Sequence, residues 1–274
     1  MPLAVHAEEV VFAYDGQMAI DASTFDIPMG RITALIGPNG SGKSTLLDGI
    51  AGLIQPKSGS LEVSPPDQRQ ISYVIQTKKV NESLPVTVRE VVTMGRYATR
   101  GARGRLKASD RRTVDESMDR MAITDLADRH LNELSGGQRQ RVFVAQGLAQ
   151  DHDMLLLDEP MTGLDITSAE AIDSVIHHEN AHGCTVVMST HDLAEARAAD
   201  HVVLLAGTVI ASGSPQEVLT EANLAVAYGG MSVHRDGDGI VIDDPAHQPI
   251  DERHVHRDRS IHTEAFPDDQ HGGD

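Results

Sequence analysis

The 274-residue chain has one cysteine, no tryptophan and only 3% aromatic residues. A lone thiol, Cys184, excludes an internal disulfide and fits a reducing compartment. With so few aromatics, the core must be built from Leu, Val, Ile, Ala and Met, and a hydrophobic content of 40% is enough for a sizeable one. No apolar run approaches the ~18 residues that span a bilayer. Met1-Pro-Leu-Ala lacks the charged and apolar regions of a signal peptide. Positive charge is scarce too: 23 Lys and Arg face 41 Asp and Glu, for a formal net charge of −18. That argues against a nucleic-acid partner and against direct docking on anionic lipid. Any membrane association is expected through a protein partner.

What is present is concentrated in short motifs. Gly37, Pro38, Asn39, Gly40, Ser41, Gly42, Lys43, Ser44 and Thr45 have the spacing of a phosphate-binding loop. The apolar run 31–36 before it reads as a buried strand, and 44–51 after it reads as a helix. The glycines let the backbone turn and aim N–H groups at phosphate oxygens, and the helix adds its positive N-terminus. Lys43 would neutralise the outer phosphates and the Ser44 hydroxyl would ligate Mg²⁺.

Residues 154–157, Met-Leu-Leu-Leu, suit a strand buried on both faces of a parallel sheet. Asp158 then falls at its carboxyl end, where open α/β sheets bind ligands, and can hold Mg²⁺ through its water shell. Glu159 is placed to polarise an attacking water. His191 and Gln76 each follow a further strand-like run, 185–190 and 71–75. Taken alone, each is as well read as a packed or surface residue. Tyr14 is either a core aromatic or a ring for stacking on adenine.

Leu134-Ser135-Gly136-Gly137-Gln138 completes the set, and with it the chain resembles the nucleotide-binding subunits of ABC transporters over about residues 5–229. The resemblance makes Tyr14 the A-loop aromatic, 37–45 the Walker A motif, Gln76 the Q-loop and 134–138 the signature. It makes 155–159 the Walker B motif with its catalytic glutamate, Asp165 the D-loop residue and His191 the switch histidine. It implies an α/β P-loop NTPase with a RecA-like core, an antiparallel β subdomain and a helical signature subdomain. The implied activity is ATP hydrolysis with Mg²⁺ held by Ser44, Gln76 and Asp158, and with Glu159, His191 and Gln76 as catalytic residues. The implied partners are a second nucleotide-binding subunit, a transmembrane permease that holds the chain at the cytoplasmic face of the membrane, and indirectly a solute-binding protein. Ser135, Gly136, Gly137 and Gln138 would complete the ATP site of the second subunit, in a head-to-tail dimer.

The run 84–97, Leu-Pro-Val-Thr-Val-Arg-Glu-Val-Val-Thr-Met-Gly-Arg-Tyr, is similar to importers of manganese, zinc or ferrous iron, as is 217–230. Leu84, residues 77–83 and Gly147 depart from that pattern. The expected cargo is a transition-metal cation, and the alternative is an iron–siderophore or cobalamin. A soluble ABC ATPase acting on nucleic acid or the ribosome is disfavoured by the single P-loop, the single signature and the acidic charge.

Residues 1–230 are expected to form the nucleotide-binding domain, with 3–30 as antiparallel strands, 81–147 as the helical subdomain and 153–229 as strand–helix alternation. The basic stretch Arg96–Arg112 reads as a solvated loop opening the helical subdomain, or as a contact for a partner's loop or lipid headgroups. From 231 to 274 the chain is an acidic tail with His234, His247, His254, His256, His262 and His271, expected to be disordered. It would serve as a solubilising extension or as a loose chelator of Zn²⁺ or Mn²⁺.

Overall fold

The computed structural model describes residues 2–14, 17–64, 70–76, 85–100, 105–229, 232–236 and 239–243. The strands β1 (Leu3–Tyr14) and β2 (Gln17–Pro28) pair antiparallel. The core strand β3 (Ile32–Ile36) and helix α1 (Lys43–Ile50) follow. The chain then returns as β4 (Ser58–Val63) to the free side of β1, giving a three-stranded sheet β2-β1-β4. Next come β5 (Ile71–Val74) and three helices, α2 (Val88–Arg100), α3 (Ala108–Arg120) and α4 (Gly136–Leu148). The last part alternates β6 (Met154–Leu157), α5 (Ile166–Ala181), β7 (Thr185–Thr190), α6 (Leu193–Ala198) and β8 (His201–Leu205). It closes with β9 (Val209–Gly213), α7 (Pro215–Val218) and α8 (Glu221–Tyr228).

The central sheet has the order β5-β6-β7-β3-β8-β9 and is parallel except for its β9 edge. Helices cover one face and the β1–β2–β4 sheet with α1 covers the other, so β3, β6 and β7 are buried along their whole length. Alternate residues of one strand serve two cores. Ala34 and Ile36 pack with Val92, Met118 and Val142 on the helical side, and Leu35 packs with Phe12, Ile20 and Leu46 on the other.

One sequence reading is corrected in part. The stretch does not begin as a solvated loop: Arg96 and Arg100 lie in α2 and Arg96 is 3% exposed, whereas Arg105 and Lys107 are exposed in the segment before α3. Its guanidinium donates to Asp110 at 3.1 Å, to Asp151 at 2.7 Å and to the Ala149 carbonyl at 2.7 Å, clamping α2 to α3 and to the end of α4. The C-terminal stretch, expected to be largely disordered, holds two described strands. Its first part forms a hairpin, β10 (Ser232–Asp236) antiparallel to β11 (Gly239–Asp243). The Ile240-Val241-Ile242 run after Gly237-Asp238 is the strand signal that the acidic composition around it masked. Most of the tail histidines, and the departing residues 77–84, lie outside the described residues.

The departure at Gly147 has a packing cause. A Cβ there would lie 2.7 Å from Val74 Cγ2, and the Ser72 hydroxyl donates to the Gly147 carbonyl at 3.0 Å. Helix α4 thus approaches β5 more closely than an alanine allows.

Candidate ATP site

Parallel register assembles the site. Ile36 is level with Thr190, and Val74 with Leu157, so Gly37, Gln76, Asp158 and His191 all leave the sheet at its carboxyl edge. Gly37 begins the loop in close contact with the chain beyond: a Cβ on it would lie 2.0 Å from the Leu205 carbonyl oxygen. Gly42 takes a φ of 102° at the N-cap of α1, a left-handed conformation that glycine adopts without steric cost. A cleft of about 200 Å³ results, lined by Ala19, the run 39–45 and Glu159.

Lys43 is 6% exposed, and its ammonium donates to the carbonyls of Gly37 at 2.7 Å and Pro38 at 3.0 Å. Burial lowers its pKa from the ordinary lysine range, against the opposing pull of Glu159 and Asp158. Across the loop, Asp158 is 2% exposed, and its Oδ1 accepts from the hydroxyls of Ser44 at 3.1 Å and Ser189 at 2.8 Å. Two hard oxygens, from Ser44 and Asp158, with the Gln76 carboxamide nearby, form a donor set that suits Mg²⁺.

Glu159 has a φ of 48°, in the left-handed region that non-glycine residues seldom enter. Such a conformation costs about 1–3 kcal/mol and must be held by its surroundings. Two contacts do so: its N–H donates to Ser189 Oγ at 2.8 Å, and its carboxylate accepts from Gln76 Nε2 at 2.8 Å. Ser44, Asp158, Ser189, Glu159 and Gln76 therefore form one chain of hydrogen bonds from the phosphate loop to the end of β5. Ser189 is the member that sequence reasoning missed; its signal is a hydroxyl two residues before His191 in a fully buried strand.

His191 is exposed at the same edge, one residue beyond β7. Tyr14, at the end of β1, is 42% exposed, and its hydroxyl donates to Asp48 of α1 at 3.2 Å, which leaves a ring face open beside that helix. Tyr73 holds the other oxygen of Asp48 at 3.1 Å.

The signature lies elsewhere. Ser135 caps α4: its Oγ accepts from the Gln138 N–H at 3.2 Å while Gln138 Oε1 accepts from the Ser135 N–H at 2.9 Å. None of residues 135–138 lines the phosphate cleft, and Ser135 and Gly136 are exposed. Gly137 packs on the next motif, for a Cβ there would lie 2.8 Å from an oxygen of Asp165. Asp165 in turn caps α5, accepting from the N–H and hydroxyl of Ser168, both at 2.9 Å.

The family model described as ABC transporter matches residues 20–162. A manganese transport system ATP-binding protein of a Synechocystis strain is 38% identical over 237 residues, 84% of this chain and 91% of the relative. Among solved structures, an inward-facing ABC transporter described as metal-chelate type aligns at a TM-score of 0.75 with 28% identity, over 90% of this chain and 99% of its own. A dimeric ATP-binding cassette in a post-hydrolysis state with ADP and Pi aligns at 0.67 with 28% identity, over 77% of this chain and 98% of its own. With a phosphate cradle, a signature cap and a Walker B carboxylate pair in this order, on this fold and with these likenesses, the chain belongs to the ABC transporter family as one of its ATPases.

Proposed function

We propose that this chain is the ATP-hydrolysing subunit of an importer for a transition-metal cation: manganese, zinc or iron. The observation that carries the catalytic half is the hydrogen-bonded chain from Ser44 through Asp158, Ser189 and Glu159 to Gln76. Lys43 and the loop N–H groups hold the phosphates of ATP, with the Tyr14 ring against adenine. Ser44, Asp158 and Gln76 would hold Mg²⁺, which draws charge from the β- and γ-phosphate oxygens. Glu159 accepts the proton of the water that attacks the γ-phosphate, releasing ADP and inorganic phosphate. His191, at the same sheet edge, contacts the γ-phosphate.

The exposed Ser135 and Gly136 are proposed to face the ATP of a second copy, whose own signature completes this chain's cleft. A hydroxyl, free N–H groups and the start of α4 give a γ-phosphate three favourable contacts. The likeness to a dimeric cassette supports this pairing. The permease is proposed to sit in a groove of about 590 Å³ between the helical subdomain and β5, lined by Leu53, Tyr73, Ile75, Met94 and Phe143 among others. An apolar groove of this kind suits an amphipathic helix on the permease's cytoplasmic side. One residue past Ile75 stands Gln76, so a push on the groove reaches Glu159. A solute-binding protein would deliver the cargo to the permease. No helix among the described residues is long and apolar enough to cross a membrane.

The cargo reading rests on the manganese-transport relative and on the similar runs at 84–97 and 217–230. A metal chelate is the second reading, favoured by the metal-chelate type transporter among the structural matches. The test is ATP-driven uptake into vesicles that carry the chain with its permease. Accumulation of free Mn²⁺, Zn²⁺ or Fe²⁺ supports the proposal. Uptake confined to a chelated metal or cobalamin replaces it with the alternative.

A further inference from the structure

At the opposite edge of the central sheet, three side chains of different ligand chemistry converge. His152 lies two residues before β6, Cys184 one residue before β7, and Glu179 in the last turn of α5. Met154 pairs in register with Thr185, which brings positions 152 and 184 to neighbouring strand entries. An imidazole nitrogen, a carboxylate oxygen and the thiol sulfur, one from each residue, lie within 4.8 Å of one another. The side chains of His152 and Glu179 are 5% and 14% exposed, and Cys184 is buried. His152 Nδ1 is 2.7 Å from the Gln150 carbonyl oxygen, and Nε2 is 3.1 Å from Glu179 Oε2. An Nδ1–H held by a backbone carbonyl is the arrangement that fixes a histidine to offer Nε2 to a metal. The second oxygen of Glu179 accepts from the Arg120 guanidinium, which orients the carboxylate from outside the cluster.

We propose that His152, Glu179 and Cys184 form a binding site for a borderline-soft divalent cation, Zn²⁺ in the first place. Imidazole and thiolate together select zinc over Mg²⁺ or Ca²⁺, which take oxygen ligands. The 3.1 Å between Nε2 and Oε2 is close to the separation of roughly 3.3 Å for two ligands each ~2.0–2.1 Å from a tetrahedral ion. Three protein ligands leave a fourth position for water. Without the cation, both ring nitrogens face acceptors. The ligating forms are a bare Nε2 and a thiolate, and the thiolate and carboxylate would neutralise the dication. The ion would join the end of α5 to the starts of β6 and β7. The other ends of those elements carry Asp165, Asp158 and His191, so occupancy would brace the ATP site from behind. The inference stands whatever the cargo is.

The test is a Co²⁺ titration of the full chain at neutral pH without oxygen. A thiolate-to-cobalt charge-transfer band in the near ultraviolet can come only from Cys184, the sole cysteine, and never from the histidine-rich C-terminal stretch. The expected result is a band that saturates at one equivalent, is bleached by Zn²⁺, vanishes in Cys184→Ser and weakens at least about tenfold in affinity in His152→Gln. Glu179→Gln replaces His152→Gln if that variant does not fold. No band at saturating Co²⁺ in the intact chain, or a band unchanged by the histidine and glutamate substitutions, would overturn the site and leave the cluster as an ion-paired staple of the fold.

Discussion

Ser189→Ala is the substitution that separates a designed scaffold for Glu159 from an accidental neighbour. The hydroxyl is fully buried and bonds in two directions, accepting from the Glu159 N–H and donating to Asp158 Oδ1, both at 2.8 Å. Alanine leaves the Glu159 N–H without that acceptor, at a cost of about 1–3 kcal/mol. It also removes one of the two contacts that hold Glu159 at its φ of 48°. If half or more of that energy is expressed in the transition state, kcat falls roughly 2- to 140-fold, at ~1.4 kcal/mol per tenfold. The rest appears as stability, at about 2–4 °C of melting temperature per kcal/mol for a domain of this size. Steady-state ATPase assays with the permease, alongside thermal melts with and without nucleotide, measure both. KM for ATP should move little, because the phosphate loop is untouched. A variant with kcat within about twofold and an unchanged melting temperature would refute the argument that Ser189 positions the base.

Lys43→Ala should abolish ATP binding and turnover together, as measured by nucleotide binding and phosphate release, since no other cation lines the cleft among the described residues. Glu159→Gln should bind ATP, turn over slowly and accumulate as a dimer in light scattering, because the amide keeps the shape and loses the base. Gly147→Ala should lower the melting temperature by several degrees, with overpacking against Val74 costing about 1–3 kcal/mol. The Asp110 carboxyl is held down to about 2, first by the Lys107 N–H and then by Arg100 and Arg96. Its folded pKa is depressed, so its contribution is present above the unfolded value near ~3.9 and is lost as pH falls towards 2. Acid unfolding curves of Asp110→Asn should therefore lose part of their slope between those limits; an unchanged acid limb contradicts the assignment.

Local pattern made half of the site legible. Residues 37–45 and 154–159 carry their strand, loop and helix contexts within a dozen residues. What stayed hidden depends on contacts between distant segments. Nothing near Gln76 announces Glu159, because their 2.8 Å contact is set by the register of β5 on β6. Ser189 looked like one of three hydroxyl residues in a buried run, with Thr185 and Thr190. Arg96 misled for the same reason: its acid partners, Asp110 and Asp151, lie 14 and 55 residues away, so a basic stretch looked solvated. In the stretch 232–243 composition outweighed the short β-branched run 240–242.

The placement of Ser135 and Gly136 on the surface, away from their own phosphate cleft, has a kinetic consequence. Under the proposed pairing, a lone copy is half an enzyme. Turnover of the isolated chain should rise with the square of its concentration until dimers saturate, then become linear. In a mixture of intact chains and chains defective in the signature, each hybrid dimer keeps one complete cleft and one broken one. The activity of such mixtures, followed against mixing ratio, would count how many intact clefts a productive cycle requires.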